Sequence, residues 1–314
     1  MAFSETGKVW MNGKMVAWND ATIHVASHVI HYGSGVFEGI RAYDSTRGAH
    51  VFRLPEHMRR LADSCRVYRM EPPYSTSELT DAVLETIRVN GYKSCYIRPL
   101  VYRGYLQLGV NPMPCPVDVA ITVWEWDTPL GGDDARRSGV DVGVSSWTRI
   151  APNTLPALAK STANYANSAL IKMQATVDGY AEGIALDESG VVSEGSGQNL
   201  FFVRDNVLYT PTLTSSILQG ITRETILVLA SDLGLEVREQ PLPREFLYIA
   251  DEAFFCGTAA EITPIRSIDK IAVGNGRRGA VTAALQDRFF GIINGALPDE
   301  HNWLTPVGAA VATP

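Results

Sequence analysis

The sequence predicts an α+β protein in two domains. Three observations carry this. The first 126 residues mix helical periodicity with strands that read as an antiparallel sheet. A turn-rich break follows over 127–138, holding Pro129, Gly131, Gly132, Asp133 and Asp134. The pattern then restarts at Val140-Asp141-Val142-Gly143-Val144 and mixes short strands with helices to the end. The expected organisation is a small N-terminal α+β domain over 1–126, an interdomain loop over 127–138, and a larger β-rich α/β domain over 139–314. A chain of 314 residues is long enough for two such cores.

The elements follow in order. Val9-Trp10-Met11 and Met15-Val16-Ala17 flank Asn12-Gly13, the dipeptide that two-residue hairpin turns favour because both positions need positive φ. A strand is expected at His50-Val51-Phe52. Pro55 then suits a helix start, with Met58, Leu61, Cys65 and Tyr68 at helical spacing. Ser75 and Glu78 form a capping-box pattern ahead of Leu79, Val83 and Ile87. Strands are expected at Tyr96 to Tyr102 and, alternating cleanly, at Val117 to Trp124. Beyond the break, helices are expected near Tyr165 to Val177, Arg223 to Leu233 and Val281 to Ile293. Thr222 is placed to cap the middle one, and Gly234 to end it.

Composition narrows the class. A hydrophobic fraction of 46% and a charged fraction of 19% exclude disorder and coiled coil. The net charge of −7, spread along the chain, argues against nucleic-acid binding, which needs clustered cations. Cys65, Cys95, Cys115 and Cys256 match no zinc or redox spacing and suit reduced thiols. No apolar run approaches a membrane span and the N-terminus has no signal core. A cytoplasmic protein is the expectation.

Four segments could carry chemistry. Lys160 is the sole charged residue between Arg149 and Lys172, set among Ala157-Leu158-Ala159 and Ser161-Thr162-Ala163. Burying such an amine costs energy, lowers its pKa and makes it nucleophilic, as a Schiff-base lysine requires. A solvated loop lysine satisfies the local pattern as well. Ser193 to Asn199 places Glu194 among glycines that allow close backbone approach to a ligand, or simply a bulged turn. Leu218-Gln219-Gly220-Ile221-Thr222-Arg223 puts glycine before a helix start, where backbone N–H groups bind phosphate. Cys256-Gly257-Thr258-Ala259-Ala260 offers a similar turn. Separately, His24, His28 and His31 fall at i, i+4 and i+7, a conceivable metal site if they share a helical face. They lack the glutamate of the zinc-protease motif.

Taken together the segments resemble the branched-chain-amino-acid aminotransferases, among the class IV aminotransferases of fold-type IV. The resemblance rests on His31-Tyr32-Gly33-Ser34-Gly35-Val36-Phe37-Glu38-Gly39-Ile40-Arg41, Tyr96-Ile97-Arg98-Pro99, Gly109-Val110-Asn111-Pro112 and Ser145-Ser146-Trp147. It continues through Ala151-Pro152-Asn153-Thr154, Lys160, Asn164-Tyr165, the Glu194 loop, Gly220-Ile221-Thr222-Arg223 and Gly257 to Pro264, in family order over nearly the whole chain. It implies a pyridoxal 5′-phosphate enzyme with its cofactor between the two domains.

The reaction implied is reversible, ping-pong transfer of the amino group of L-leucine, L-isoleucine or L-valine to 2-oxoglutarate. The resemblance gives Lys160 the cofactor linkage and the proton shuttle. It gives Glu194 the ring nitrogen, Tyr165 the phenolic oxygen, and Arg60, Ile221, Thr222 and Thr258 the phosphate. On the substrate side it implies an apolar wall from Phe37 and Trp126, and Tyr32 and Arg98 for the γ-carboxylate. Tyr96 with the amides of Thr258 and Ala259 would take the α-carboxylate. Tyr32 and Val110 would come from a neighbouring subunit, making a homodimer the least active unit. No metal, nucleic acid or membrane partner is implied.

Two positions depart from the family pattern: Pro129, where many bacterial relatives carry a tyrosine, and Arg103, in a segment often apolar in such relatives. The rival readings are a D-amino-acid or (R)-amine aminotransferase or an aminodeoxychorismate lyase of the same fold, and a non-catalytic metal- or ligand-binding protein built on the three histidines.

Overall fold

The computed structural model describes residues 6–126, 130, 132 and 134–308. They fall into two compact units. Pro129 lies outside the described residues.

In the first unit, strands β1 (Lys8–Met11) and β2 (Lys14–Ala17) form the expected hairpin, with Asn12 at φ 47° and Gly13 at φ 84°. Helix α1 (His28–Tyr32) ends at Gly33, whose φ of 62° closes it. Then come β3 (Gly35–Phe37), β4 (Ile40–Ser45), β5 (Gly48–Phe52), α2 (Leu54–Val67), α3 (Thr76–Asn90), β6 (Cys95–Arg103) and β7 (Val117–Trp124). The pairings are antiparallel, in the order β5-β4-β6-β7-β1-β2, with β3 beside β6 and a strand from Leu304–Pro306 beside β5.

The capping box forms as read: Ser75 accepts from the Glu78 N–H at 3.2 Å, and Glu78 accepts from the Ser75 N–H at 2.7 Å. Leu79, Val83 and Ile87 are buried below it, as are Met58, Leu61 and Cys65 of α2. The alternation of β7 also holds. Val119, Ile121 and Val123 enter this core, opposite Val101, Pro99 and Ile97 of β6. The other face of β6, at Tyr96, Arg98 and Leu100, is left for function.

The second unit begins with α4 (Ala135–Ser138) and β8 (Val140–Val144), followed by α5 (Asn164–Val177), β9 (Glu182–Leu186), β10 (Val192–Gly195), β11 (Asn199–Arg204), β12 (Val207–Thr210), α6 (Ile221–Asp232) and β13 (Glu236–Glu239). It closes with α7 (Phe246–Ile249), β14 (Glu252–Gly257), β15 (Glu261–Ile268), β16 (Ile271–Ala272) and α8 (Ala280–Ile293). Its sheet runs β10-β9-β8-β15-β14-β11-β12-β13, with β16 on β15. β8 is parallel to β9, and β12 to β13, because a helix (α5, then α6) returns the chain between the two strands each time. Strands β11 and β14 are buried on both faces. Leu200, Phe202, Ala253 and Phe255 enter one core, and Phe201 stacks on Phe254 on the other side at 5.2 Å.

Three expectations are corrected here. Helix α6 starts at Ile221, so its N-cap is Gly220 and Thr222 lies within the first turn. Gly234 does end it: the Gly234 N–H donates to Ser231 and the Leu235 N–H to Ala230. The end of the 127–138 break is built structure, since Ala135 of α4 is in the core. Finally, the first unit is not one stretch. Besides the described residues up to Trp126 it takes Ala159–Ala163 and 292–308. The first returns because Ser161 pairs with Val36 and the Thr162 N–H donates to Gly35 O at 2.9 Å; the second because its strand pairs with β5. Periodicity reports local faces and carries no signal for such long-range pairing.

Candidate active site

In the first unit the backbone of Lys160 is pinned against β3 and α2. The Phe37 N–H donates to Lys160 O at 3.0 Å and the Lys160 N–H to Ser64 Oγ at 3.0 Å. Tyr68 Oη donates to Ser161 Oγ at 2.8 Å, and Thr162 Oγ1 to Gly33 O at 2.7 Å. This approach needs glycine: a Cβ on Gly33 would stand 3.0 Å from that of Ala163. The side chain of Lys160 is half-buried, neither a solvated loop lysine nor an enclosed one. Its Nζ lies 5.2 Å from the centre of the Phe37 ring.

The same ring carries the Arg98 guanidinium, 4.5 Å from its centre. The register explains the gathering. Tyr96 and Arg98 share a face of β6, Trp124 lies opposite Tyr96, and Phe37 lies opposite Leu100. Arg98 thus stands over Phe37, Tyr96 and Trp124, with its Nη2 3.5 Å from Tyr96 Oη. Trp126 adds its ring 4.9 Å from Tyr96. Gly39 makes room, since a Cβ there would come within 2.1 Å of Tyr96 Oη. Phe37, Tyr96, Arg98 and Trp126, four residues singled out from the sequence, are therefore neighbours. Trp124 was missed; it sits two residues before Trp126, as the last residue of a strand already identified.

Arg60 has a partner that the sequence reading did not foresee. Its Nε and Nη2 donate to Glu38 at 2.7 and 2.9 Å, and His57 Nδ1 lies 2.7 Å from the same carboxylate. Glu38 is wholly buried. Burial alone pushes its carboxyl up, but the Arg60 guanidinium and His57 outweigh that and hold it far below the usual carboxylate range. Burial lowers the His57 pKa despite the adjoining carboxylate. The signal was present: Glu38 is the lone acid in an otherwise apolar and small run.

In the second unit Glu194 lies on β10, 4% exposed. One oxygen accepts from Arg149 Nε at 3.0 Å and Nη2 at 2.7 Å. The other accepts from Asn199 Nδ2 at 3.0 Å and the Leu218 N–H at 3.1 Å. Arg149 was also missed, although it is the last charge before the uncharged stretch leading to Lys160, and Asn199 closes the segment singled out around Glu194 but was given no role. β10 ends, β11 begins and β14 ends at one end of the sheet, so Glu194, Asn199 and the Thr258-Ala259 turn come together there. That turn joins β14 to β15 as a hairpin, and Thr258 and Ala259 are half-buried in it. The N-terminus of α6 is at the same end. Its N-cap Gly220 lies so close to Asn199 that a Cβ would meet Oδ1 at 1.9 Å, and the N-cap residue itself offers the helix no side-chain cap. Ile221 and Thr222 are both buried at this positive helix end. Tyr165 is half-buried in the first turn of α5.

Tyr32 and Val110 stand apart from these groups in their exposure, 44% and 87%. His28 ties their two segments together: Nδ1 is 2.7 Å from Ser34 Oγ and Nε2 2.8 Å from Gly109 O. This corrects the metal-site reading of the histidines. His24 precedes the helix, and its Nδ1 accepts from the Ala26 N–H at 3.1 Å, while His31 Nε2 lies 2.9 Å from Val25 O. The three do not share a helical face. Among the described residues no three His, Cys, Asp or Glu side chains are placed to hold a metal, and no helix is long and apolar enough to cross a membrane.

Comparison with known proteins identifies the family. The family model "Amino-transferase class IV" matches residues 35–268. The branched-chain-amino-acid aminotransferase of Salmonella typhimurium is 52% identical, over 98% of this chain and 100% of its own. The crystal structure of the Escherichia coli branched-chain amino acid aminotransferase superposes with a TM-score of 0.94 at 52% identity, covering 96% of this chain and 100% of that one. The T.th. branched-chain amino acid aminotransferase complexed with N-(5′-phosphopyridoxyl)-L-glutamate gives 0.92 at 46%, covering 96% and 99%. The chain belongs to the class IV amino-transferases, in the family of the branched-chain-amino-acid aminotransferases.

Proposed function

We propose that this protein moves the amino group of L-leucine, L-isoleucine or L-valine reversibly to 2-oxoglutarate, with pyridoxal 5′-phosphate as cofactor. The observation that carries this reading is the Phe37 ring, which holds the Lys160 amine at 5.2 Å and the Arg98 guanidinium at 4.5 Å. An amine beside an aromatic wall that ends in a guanidinium suits a pocket that takes an aliphatic side chain in one half-reaction and a γ-carboxylate in the other.

The donor set fits the cofactor: an amine, a carboxylate acceptor for a ring nitrogen, and a helix N-terminus with threonine hydroxyls for a phosphate. When bound, pyridoxal phosphate supplies the electron sink for the substrate's Cα carbanion. Lys160 holds the cofactor and moves the proton at Cα. Glu194, oriented by Arg149, Asn199 and the Leu218 N–H, holds a proton at the ring nitrogen. Tyr165 hydrogen-bonds the phenolic oxygen. Arg60, kept edge-on by Glu38, binds phosphate together with Ile221, Thr222 and Thr258.

On the substrate side, Tyr96 Oη and the N–H groups of Thr258 and Ala259 take the α-carboxylate. Phe37 and Trp126 form the apolar wall, and Arg98 takes the γ-carboxylate. Tyr32 and Val110, both exposed, serve the site of a second copy, so the active unit is a homodimer, working in the cytoplasm.

The test is the visible spectrum of the purified holoenzyme before and after L-leucine, without any 2-oxo acid. Loss of the yellow band to the pyridoxamine form is expected, and Lys160→Ala is expected to abolish turnover. A band unmoved by L-leucine but bleached by D-alanine or an (R)-amine would keep the fold and overturn the substrate. Substantial turnover by the Lys160 variant would overturn the role of that residue.

A further inference from the structure

Helix α2 has two working faces. His57, Arg60, Ser64 and Tyr68 turn to Glu38 and the Lys160 segment. The remaining face, from Met58 to Arg66, lines a cavity of about 760 Å³ that lies wholly within the first unit and includes none of the residues given a role above. Arg103, one of the two departures from the family pattern, lines it as well.

The chemistry of this lining is specific. Its floor is apolar: Met58, Leu61 and Leu79 are each at most 4% exposed and belong to the core. The lining also holds three arginines, Arg66, Arg69 and Arg103, with Glu71 as its one carboxylate residue. Arg103 is 5% exposed. Its Nη1 donates to Cys115 O at 3.0 Å and its Nη2 to Arg69 O at 2.6 Å, with Met113 Sδ at 3.8 Å, while Nε is buried without an acceptor. The carbonyls explain how this side chain ties two loops together, but not why a cation does it. Among the described residues no carboxylate forms an ion pair with Arg103; a buried guanidinium without a counter-anion is costly, and an anion entering beside it recovers part of that cost. A cavity of this size is within the range that small ligands fill.

We propose that the cavity is a binding site for a small organic carboxylate with an apolar body, its charge set among Arg66, Arg69 and Arg103 and its chain on Met58, Leu61 and Leu79. The site stands independently of the catalytic roles proposed above.

Three methionines line it, Met58, Met70 and Met113, whereas Met11, Met15 and Met173 do not. The holoenzyme, labelled with carbon-13 at the methionine methyls and assigned with single Met→Leu variants, is titrated with octanoate and, separately, with 1-octanol. Octanoate is expected to shift the three lining resonances saturably and leave Met173 in place. 1-Octanol is expected to bind about tenfold more weakly, the worth of a charged hydrogen bond. Arg103→Met and the exposed Arg66→Gln should each weaken octanoate about tenfold. Unmoved lining resonances, or equal shifts from the alcohol, would overturn the proposal. So would an unchanged affinity in Arg66→Gln, which decides the matter even if Arg103→Met does not fold.

Discussion

The buried Glu38 invites a quantitative test. Its carboxylate has no exposed surface and accepts from Arg60 twice, from the Gly39 N–H at 3.2 Å, and meets His57 at 2.7 Å. Glu38→Gln keeps the volume but removes the charge, and the new amide turns a donor towards groups that are themselves donors. Arg60 has a side chain only 13% exposed and would lose its counter-ion. Breaking a buried pair by removing one partner costs about 3–5 kcal/mol. At about 2–4 °C per kcal/mol, Tm should fall by about 6–20 °C. The assay is thermal unfolding of the cofactor-free protein followed by circular dichroism, for Glu38→Gln, Arg60→Met and the double variant. The double variant leaves neither charge stranded, so its loss should be well below the sum of the single losses. A cost below about 1 kcal/mol in Glu38→Gln, or strictly additive losses, would refute the argument that this pair is tightly coupled.

Other expectations follow from neighbouring geometry. Glu194→Gln should slow turnover by about 10²–10³-fold, which corresponds to about 3–4 kcal/mol; because it also strands Arg149, Tm should drop with it, and a near-normal rate would mean that another group protonates the ring. Gly39→Ala should cost about 1–3 kcal/mol of overpacking, seen as about 10–100-fold in kcat/KM for L-leucine with cofactor loading unchanged, since the added Cβ strikes Tyr96 Oη rather than any proposed cofactor ligand. Stability should fall on the acid side in two stages, read from urea midpoints. His57 has a lowered folded pKa, so its contribution is complete above the unfolded value of about 6.5 and is lost as pH falls below it. The Glu38 pKa is lowered too, so its contribution is complete above about 4.3 and is lost further down. His57→Asn should remove the first stage, and an unchanged profile would contradict it.

Local structure was largely legible in the residues. Asn12-Gly13, the Ser75–Glu78 capping box, the alternation of β7 and the Gly234 stop all form as read, because each depends on neighbours within a turn or two. Lys160 and Glu194 could be singled out for a similar reason: a lone charge in an apolar or glycine-rich run is anomalous wherever the run folds. The motif order even identified the family.

Only the tertiary structure decided what those charges meet. Nothing within ten residues of Glu38 announces Arg60, and Arg149 lies 45 positions before the Glu194 it clamps. Tyr96, Trp124, Arg98 and Phe37 gather through strand register, in which a one-residue slip would turn each to the opposite face. The same holds for the three histidines, whose spacing suggested a common helical face until the chain placed His24 ahead of the helix and gave His28 to a distant carbonyl. Spacing along the chain fixes direction only while the local conformation is known; which side chains become partners is settled by long-range pairing and burial, and a single sequence carries those only implicitly.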